Sequence, residues 1–175
     1  MSDRASDARP RAINGVAHVQ RASGMQSFPW QSLLRSHPLF VSLPREELES
    51  LLGDEGSRER HFPPDAAILH EGEVGDSIFL VGSGAVQVTL RGTGGPVTLL
   101  AVLQAGDSFG EMAVLEHTPR SATVSAKEEC VLLEIAGERI RALLEAHPRM
   151  QVVMYTLVRD RLRQWFHRLG VRDPS

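Results

Sequence analysis

The sequence predicts a mainly β protein, built as an antiparallel sandwich or barrel and followed by two helices. Two observations support this fold class. Between residues 58 and 135, short apolar and β-branched runs alternate with glycine-rich turns, and after Ile135 the apolar residues recur with a helical period. The predicted strands cover residues 66–69, 77–81, 85–90, 96–103, 121–126 and 130–135.

The residues before the strands predict a polar tail and one short helix. Residues 1–26 are rich in Ala, Ser, Arg and Asp and have no apolar period, which is typical of a disordered segment. One folded domain is expected from residue 27 to 170. Ser42 is the predicted N-cap of a short helix, and three leucines share one face of that helix before it ends at Gly53.

Two helices are predicted after the strands, over residues 136–147 and 149–169. Pro148 suits the first turn of the second helix, because its missing N–H is not needed there. An apolar stripe runs along this helix with alternating spacings of three and four residues: Tyr155, Val158, Leu162, Trp165 and Leu169. The stripe is compatible with a homodimer formed through the last helix. It spans barely two heptads, which is too short to establish a dimer by itself. Residues 171–175 are expected to form a short tail.

The composition argues against several classes of protein. A net charge of -3 gives no general electrostatic case for binding nucleic acid. The single cysteine, Cys130, excludes an internal disulfide framework, and the seven histidines never form the close pairs that metal ligands use. No segment approaches the about 20 apolar residues that cross a bilayer. We therefore expect a cytoplasmic protein that has no metal and no membrane partner.

Residues 109–123 carry the strongest functional signal in the sequence. They place a carboxylate, Glu111, just inside a predicted one-turn helix, and a guanidinium, Arg120, at the start of a predicted strand. Most residues between them are small or apolar, so both charges are expected in a partly dry pocket. Because a buried charge is costly without a partner, a ligand with an anion and a hydroxyl, such as a sugar phosphate, would satisfy both.

This segment resembles the phosphate-binding cassette of the cyclic nucleotide-binding domain family, whose pattern is F-G-E-(aliphatic)-A-x-(aliphatic), a short loop and R-(S/T/A)-A-T. Residues 71–84 are similar to the glycine-rich turn between that family's second and third strands. The resemblance extends from about Pro38 to Leu169. It implies an antiparallel double-stranded β-roll, jelly-roll-like, with a short N-terminal helix, a short phosphate-binding helix and two C-terminal helices.

The resemblance also implies a role for each residue of the cassette. Arg120 would pair with the cyclic phosphate, and Glu111 would accept a hydrogen bond from the ribose 2′-hydroxyl. Gly110 would lead into the N-terminus of the short helix, whose free N–H groups attract an anion. Ser121 would favour cAMP over cGMP. The implied ligand-binding residues are Phe109, Gly110, Glu111, Met112, Ala113, Arg120, Ser121 and Ala122.

The last helix would supply a lid over the base. The candidates for this lid are Leu162, Trp165 and Phe166. An aromatic ring there could stack on the purine, but the same residues could equally belong to the core or to a dimer seam, and both interpretations stay open. The arginines of this helix at positions 149, 159, 161, 163 and 168 are interpreted as a solvated face.

The leading functional hypothesis is a non-enzymatic sensor of a 3′,5′-cyclic purine nucleotide that signals through its C-terminal helices to an effector protein in trans. The sequence shows neither a nucleophile–base pair nor a set of metal ligands, so it gives no support for an enzyme. Residues 170–175 leave no room for a recognition helix, so no DNA binding is expected. A Crp/Fnr-type transcription regulator is the alternative if the sequence is truncated. A relative that binds another ligand, such as a cyclic dinucleotide, is a further alternative.

Overall fold

The computed structural model describes residues 28–53, 56–91 and 95–171, so the predicted N-terminal tail over 1–26 and the predicted C-terminal tail from residue 172 lie outside the described residues. The elements follow in this order: α1 (Trp30–Ser36), α2 (Arg45–Leu51), β1 (Ser57–Phe62), β2 (Ala67–Leu69), β3 (Ser77–Ser83), β4 (Ala85–Leu90), β5 (Thr98–Gln104), β6 (Ser108–Phe109), α3 (Glu111–Glu116), β7 (Thr123–Ala126), β8 (Cys130–Ala136), α4 (Gly137–Ala146) and α5 (Pro148–Arg168).

The strands form two antiparallel sheets that face each other. One sheet has the order β1-β8-β3-β6, and the other has the order β2-β7-β4-β5. Buried side chains from both sheets meet in one core, which includes Phe79 and Leu132 from the first sheet and Val86 and Leu100 from the second. The predicted fold class, a mainly β protein built as an antiparallel β-roll with flanking helices, is therefore confirmed.

A second core joins the outer face of the first sheet to the helices. Because side chains alternate along a strand, Leu132 of β8 enters the core between the sheets while Leu133 faces the helices. Leu133 packs in one cluster with Phe40 before α2, Ile140 of α4 and Met154 of α5. The N-terminal helices, α4 and α5 therefore share one hydrophobic core with the sheet.

The N-terminal segment differs from the sequence-based prediction. It contains two helices, and α1 is fixed by Trp30, whose indole Nε1 donates to Glu59 Oε2 of β1 at 2.7 Å. The predicted N-cap of the second helix, Ser42, is wrong: the N-cap is Pro44, and the helix begins at Arg45. A proline disfavours the helical conformation of the residue before it, so the helix cannot start upstream of this position.

Two strands were absent from the prediction. β1 has the sequence Ser-Arg-Glu-Arg-His-Phe, whose charged residues hide its pairing with β8 at the edge of the sheet. β6 is only two residues long and pairs with β3. The strand predicted over 121–126 begins only at Thr123, so Arg120 lies in the loop before β7 and not in a strand.

The sequence also predicts a second apolar strip near the start of α5, at residues 150, 153, 154 and 157, and this strip packs into the core more deeply than the 3,4-spaced stripe does. Pro148 is the first residue of α5, as its missing N–H predicts. The fully buried residues of this helix are Met150 and Met154, whereas Tyr155 and Leu169 of the stripe are 51% and 37% exposed. The described residues contain no helix with a stretch long and apolar enough to span a bilayer.

Removing the Met154 side chain should test how much α5 depends on the second core. Met154→Ala deletes a side chain that is 0% exposed, and we expect it to lower the free energy of unfolding by about 2–5 kcal/mol because it leaves a cavity. Val152 lies on the same helix and is 67% exposed. Val152→Ala should change the free energy of unfolding by less than about 0.5 kcal/mol. Urea unfolding of both variants measures the difference, and equal effects would contradict this packing.

Candidate ligand-binding site

The turn from β6 into α3 brings the backbone close to Arg120. Gly110 has a φ of +90°, which favours glycine because it has no Cβ. A Cβ built at Gly110 would lie 2.8 Å from the Ser77 carbonyl oxygen and 2.9 Å from Arg120 Nη1. Any other residue would therefore have to displace the guanidinium or the β3 backbone.

Arg120 is buried, and no carboxylate of residues 28–53, 56–91 and 95–171 forms an ion pair with it. It is 5% exposed, and its Nη1 donates to the carbonyl oxygens of Ser77 at 2.8 Å and Gly110 at 3.2 Å. Its Nη2 donates to Ser77 Oγ at 3.1 Å, but its Nε has no acceptor. Burial lowers the pKa of Arg120, although a guanidinium remains protonated at neutral pH. The loop therefore holds a desolvated positive charge on neutral oxygens.

Glu111 is also buried, but it pairs with a residue of α5 and not with Arg120. Its side chain is 1% exposed, and Oε1 accepts a hydrogen bond from Ser108 Oγ at 2.5 Å. Its Oε2 accepts from Nη1 of Arg161 at 2.6 Å. Nη2 of Arg161 donates to the Ser108 carbonyl oxygen at 2.7 Å. The two charges of the cassette thus have separate partners, and α5 is tied directly to the cassette.

The interpretation of Arg161 as part of a solvated helix face is wrong. Its side chain is only 17% exposed, whereas Arg159, two residues earlier, is 58% exposed and contacts its neighbour Asp160. The sequence could have predicted the burial of Arg161. This residue lies four positions before Trp165 and therefore on the same face of the helix. A buried Glu111 also required a cationic or donor partner.

A narrow cavity of about 40 Å³ lies between the cassette and α5. Its lining includes all the residues that the cassette resemblance implied: Phe109, Gly110, Glu111, Met112, Ala113, Arg120, Ser121 and Ala122. Strands β2, β4, β5 and β7 contribute an apolar wall, and α5 contributes Arg161 and Trp165. The other lid candidates, Leu162 and Phe166, are partly buried but do not line the cavity.

The described residues contain two buried side-chain polar atoms that have no hydrogen-bond partner. They are Nε of Arg120 and Nε1 of Trp165, and both residues line this cavity. Both atoms are N–H donors, and an unsatisfied buried donor costs about 1–3 kcal/mol. Two of the residues that line the cavity therefore each carry a donor without an acceptor among the described residues.

A larger polar cleft of about 430 Å³ lies on the other side of Arg120, between β1 and the β2–β3 turn. Two of its three carboxylates, Glu134 and Asp76, are ion-paired, and the third, Glu73, accepts from the backbone N–H of His70 at 3.2 Å. Glu134 accepts from Arg60 at 2.7 Å, and Asp76 accepts from both terminal nitrogens of Arg141 at 2.6 and 2.8 Å. No group of His, Cys, Asp and Glu within the described residues could hold a metal ion.

Comparisons with known proteins identify relatives of this chain. A family model described as the cyclic nucleotide-binding domain matches residues 59–147. A cyclic AMP receptor protein from Thermus thermophilus is 33% identical over 131 residues, which cover 75% of this chain and 60% of that protein. This chain thus spans less than two thirds of that relative's length.

Solved structures support the same relationship. The catabolite activator protein of Thermus thermophilus has a TM-score of 0.64 at 33% identity, covering 76% of this chain and 62% of its own. The regulatory domain of Toxoplasma gondii PKA, co-crystallised with cAMP, has a TM-score of 0.60 at 28% identity, covering 65% of this chain and 42% of its own.

Breaking the Glu111–Arg161 pair should destabilise the protein. We expect Arg161→Ala to lower the free energy of unfolding by about 3–5 kcal/mol, because it leaves the Glu111 carboxylate buried without its cation. Arg159→Ala removes the same charge from the exposed face of α5 and should cost about 0–1 kcal/mol. Urea unfolding measures both values.

A second substitution separates the ion pair from simple loss of side-chain packing. Glu111→Gln added to Arg161→Ala removes the uncompensated charge and should restore part of the lost stability. If the double variant is destabilised by the sum of the two single changes, the pair does not contribute as proposed.

Proposed function

The chain belongs to the cyclic nucleotide-binding domain family, and from this premise we propose that it is a non-enzymatic sensor of a 3′,5′-cyclic purine nucleotide, with cAMP preferred over cGMP. One observation carries the proposal. Arg120 is a buried charge that no anionic group in the described part of the chain compensates, and it lines a cavity together with Glu111.

The cyclic phosphate supplies the anion that Arg120 lacks. The Nε–H of Arg120 has no acceptor, and hydrogen bonds between a guanidinium and a phosphate are of the strong, charge-assisted kind. The first N–H groups of α3, which follow Gly110, have no acceptor within their own helix. The phosphate accepts hydrogen bonds from the Nε–H of Arg120 and from these N–H groups of α3. Its negative charge then compensates the buried guanidinium, which the neutral oxygens do less well.

The ribose binds beside Glu111. A carboxylate oxygen has more than one lone pair, so Glu111 can accept from the 2′-hydroxyl while it keeps the hydrogen bond from Ser108. Before a nucleotide enters, Arg161 donates to Oε2 of this carboxylate, which lines the cavity. A nucleotide without the 2′-hydroxyl leaves this buried acceptor short of a donor, which makes the site selective for ribonucleotides.

The preference for cAMP rests on the base end of the cavity. Ser121 lies in the lining, and by family resemblance a serine there is common in cAMP binders. One relative is described as a cyclic AMP receptor protein, and one solved neighbour contains cAMP. Trp165 is the lid candidate that reaches the lining, while lid roles for Leu162 and Phe166 stay predictions.

Signalling follows from the small size of the cavity. A space of about 40 Å³ holds a few water molecules at most, so a nucleotide can enter only if α5 moves. The nucleotide shifts the equilibrium by the difference between its affinities for the two positions of α5. A displaced α5 would then act on an effector protein in trans or on a second copy of the chain. Dimerisation through α5, like the absence of DNA binding, stays a prediction.

Isothermal titration calorimetry with cAMP and cGMP tests the proposed ligand. We expect saturable binding of cAMP that is tighter than binding of cGMP. Arg120→Gln should weaken cAMP binding by about 100-fold or more, because it removes at least two charge-assisted hydrogen bonds. Arg159→Ala removes an exposed arginine and should bind as the unchanged protein does.

The same titration with 2′-deoxy-cAMP tests the role of Glu111. Its affinity should be about 10- to 100-fold lower than that of cAMP, the value of one hydrogen bond to a charged group. Urea unfolding of Arg120→Gln distinguishes lost binding from lost folding. The proposal is rejected if the unchanged protein shows no saturable heat with either nucleotide.

A further inference from the structure

Arg120 lines two cavities, and the described residues of those cavities include four carboxylates. The cavity between the cassette and α5 contributes Glu111, and the polar cleft beside β1 contributes the other three: Glu73, Asp76 and Glu134. Burial lowers the pKa of Arg120, and these four carboxylates act in the opposite direction, so their charges reach the guanidinium. Arginines are rarely buried unless they are paired. Within the described part of the chain, however, all hydrogen bonds of Arg120 go to neutral oxygens.

Three of the four carboxylates are each paired with a different arginine. The pairs and their donor–acceptor distances are Arg161–Glu111 (2.6 Å), Arg60–Glu134 (2.7 Å) and Arg141–Asp76 (2.6 and 2.8 Å). The three arginines come from α5, β1 and α4, so separate parts of the fold supply them. The fourth carboxylate, Glu73, is exposed, and water screens an exposed charge most effectively. The negative charges near Arg120 are therefore compensated by other cations.

The surroundings of Asp76 show how the backbone maintains this arrangement. Its two chain neighbours contact the guanidinium: a Cβ on Gly75 would lie 2.6 Å from Arg120 Nε, and Ser77 accepts from both Nη1 and Nη2. The carboxylate of Asp76 is instead directed to the first turn of α4, where a Cβ on Gly137 would collide with Oδ1. The Asp76 carbonyl oxygen also accepts from the Gly137 N–H at 2.9 Å. The start of α4 therefore holds Asp76 in a position where it pairs with that helix.

We propose that Arg141 is a positioning residue of the nucleotide site: it neutralises Asp76 and so leaves the charge of Arg120 available to the phosphate. Arg60 does the same for Glu134. The inference rests on the proposed function. A carboxylate paired with Arg120 would compete with the phosphate for the same N–H groups and would place a like charge beside it. Neither of the two positioning arginines lines the cavity next to the cassette, so each acts on the ligand through its carboxylate.

Arg141→Gln tests the proposal, because glutamine is polar and has no charge. In calorimetric titrations with cAMP, we expect the affinity to fall about 3- to 10-fold, the size of a Coulomb interaction between partly screened charges. The effect is moderate because the Asp76 side chain is 54% exposed. Adding Asp76→Asn should restore the affinity at least to that of the unchanged protein, since it removes the competing charge. A purely structural clamp predicts that the double variant binds no better than Arg141→Gln.

A second ion pair and two controls make the test independent of one substitution. Arg60→Gln, alone and with Glu134→Gln, should give the same loss and the same recovery. Arg141→Lys keeps the charge and should retain most of the affinity. Arg45→Gln breaks an ion pair with Glu49 on α2 that lines neither cavity, and it should bind as the unchanged protein does. Urea unfolding confirms that each variant is folded at the temperature of the titration.

The Nε–H signal of Arg120 in ¹H–¹⁵N spectra gives a readout that needs no ligand. It is identified by its loss in Arg120→Gln. In Arg141→Gln this signal should shift, because the released Asp76 carboxylate pairs with Arg120, and in the double variant it should return to its original position.

These measurements separate the inference from the function beneath it. If the unchanged protein binds no cyclic nucleotide, the proposed function fails, and the Arg120 signal alone decides whether Arg141 keeps Asp76 from pairing with Arg120. If the protein binds cAMP, two results overturn the inference: Arg141→Gln binds as tightly as the unchanged protein, or Asp76→Asn fails to restore the lost affinity.

Discussion

The buried positive charge of Arg120 is the constraint around which the candidate site is arranged. A desolvated guanidinium requires acceptors, and the fold supplies them from the Ser77 and Gly110 carbonyl oxygens and the Ser77 hydroxyl. Gly110 must be glycine because the guanidinium and the β3 backbone occupy the space of a side chain. All of these partners are neutral, so the buried charge has no anion among the described residues to offset its desolvation.

The Glu111–Arg161 pair connects this site to the rest of the molecule. It joins the cassette to α5, and α5 shares a core with α4 and the N-terminal helices through Met150 and Met154. A ligand that opens the cavity must therefore act against both an ion pair and a packed helix. An ion pair and a shared core therefore both connect α5 to the cassette.

Most of the strands and the cassette could be predicted from the sequence, because the residue patterns that indicate them are local. The alternating apolar runs identified most strands, and the spacing of Glu111 and Arg120 identified the cassette, whose residues line one cavity. The features that could not be predicted from the sequence depend on tertiary contacts. β1 is charged because it lies at a sheet edge, and its pairing with β8 is invisible locally. Arg161 resembled other helix arginines until the chain folded and brought it to Glu111 across 50 residues.

The most direct test of the central claim is a crystal structure of the protein grown with cAMP. We predict the cyclic phosphate within hydrogen-bond distance of Arg120 and the first N–H groups of α3, the ribose 2′-hydroxyl on Glu111, and α5 displaced from its position over the empty cavity. The claim would be contradicted by a nucleotide bound in the polar cleft beside β1, or by a cavity that stays closed and empty at saturating cAMP.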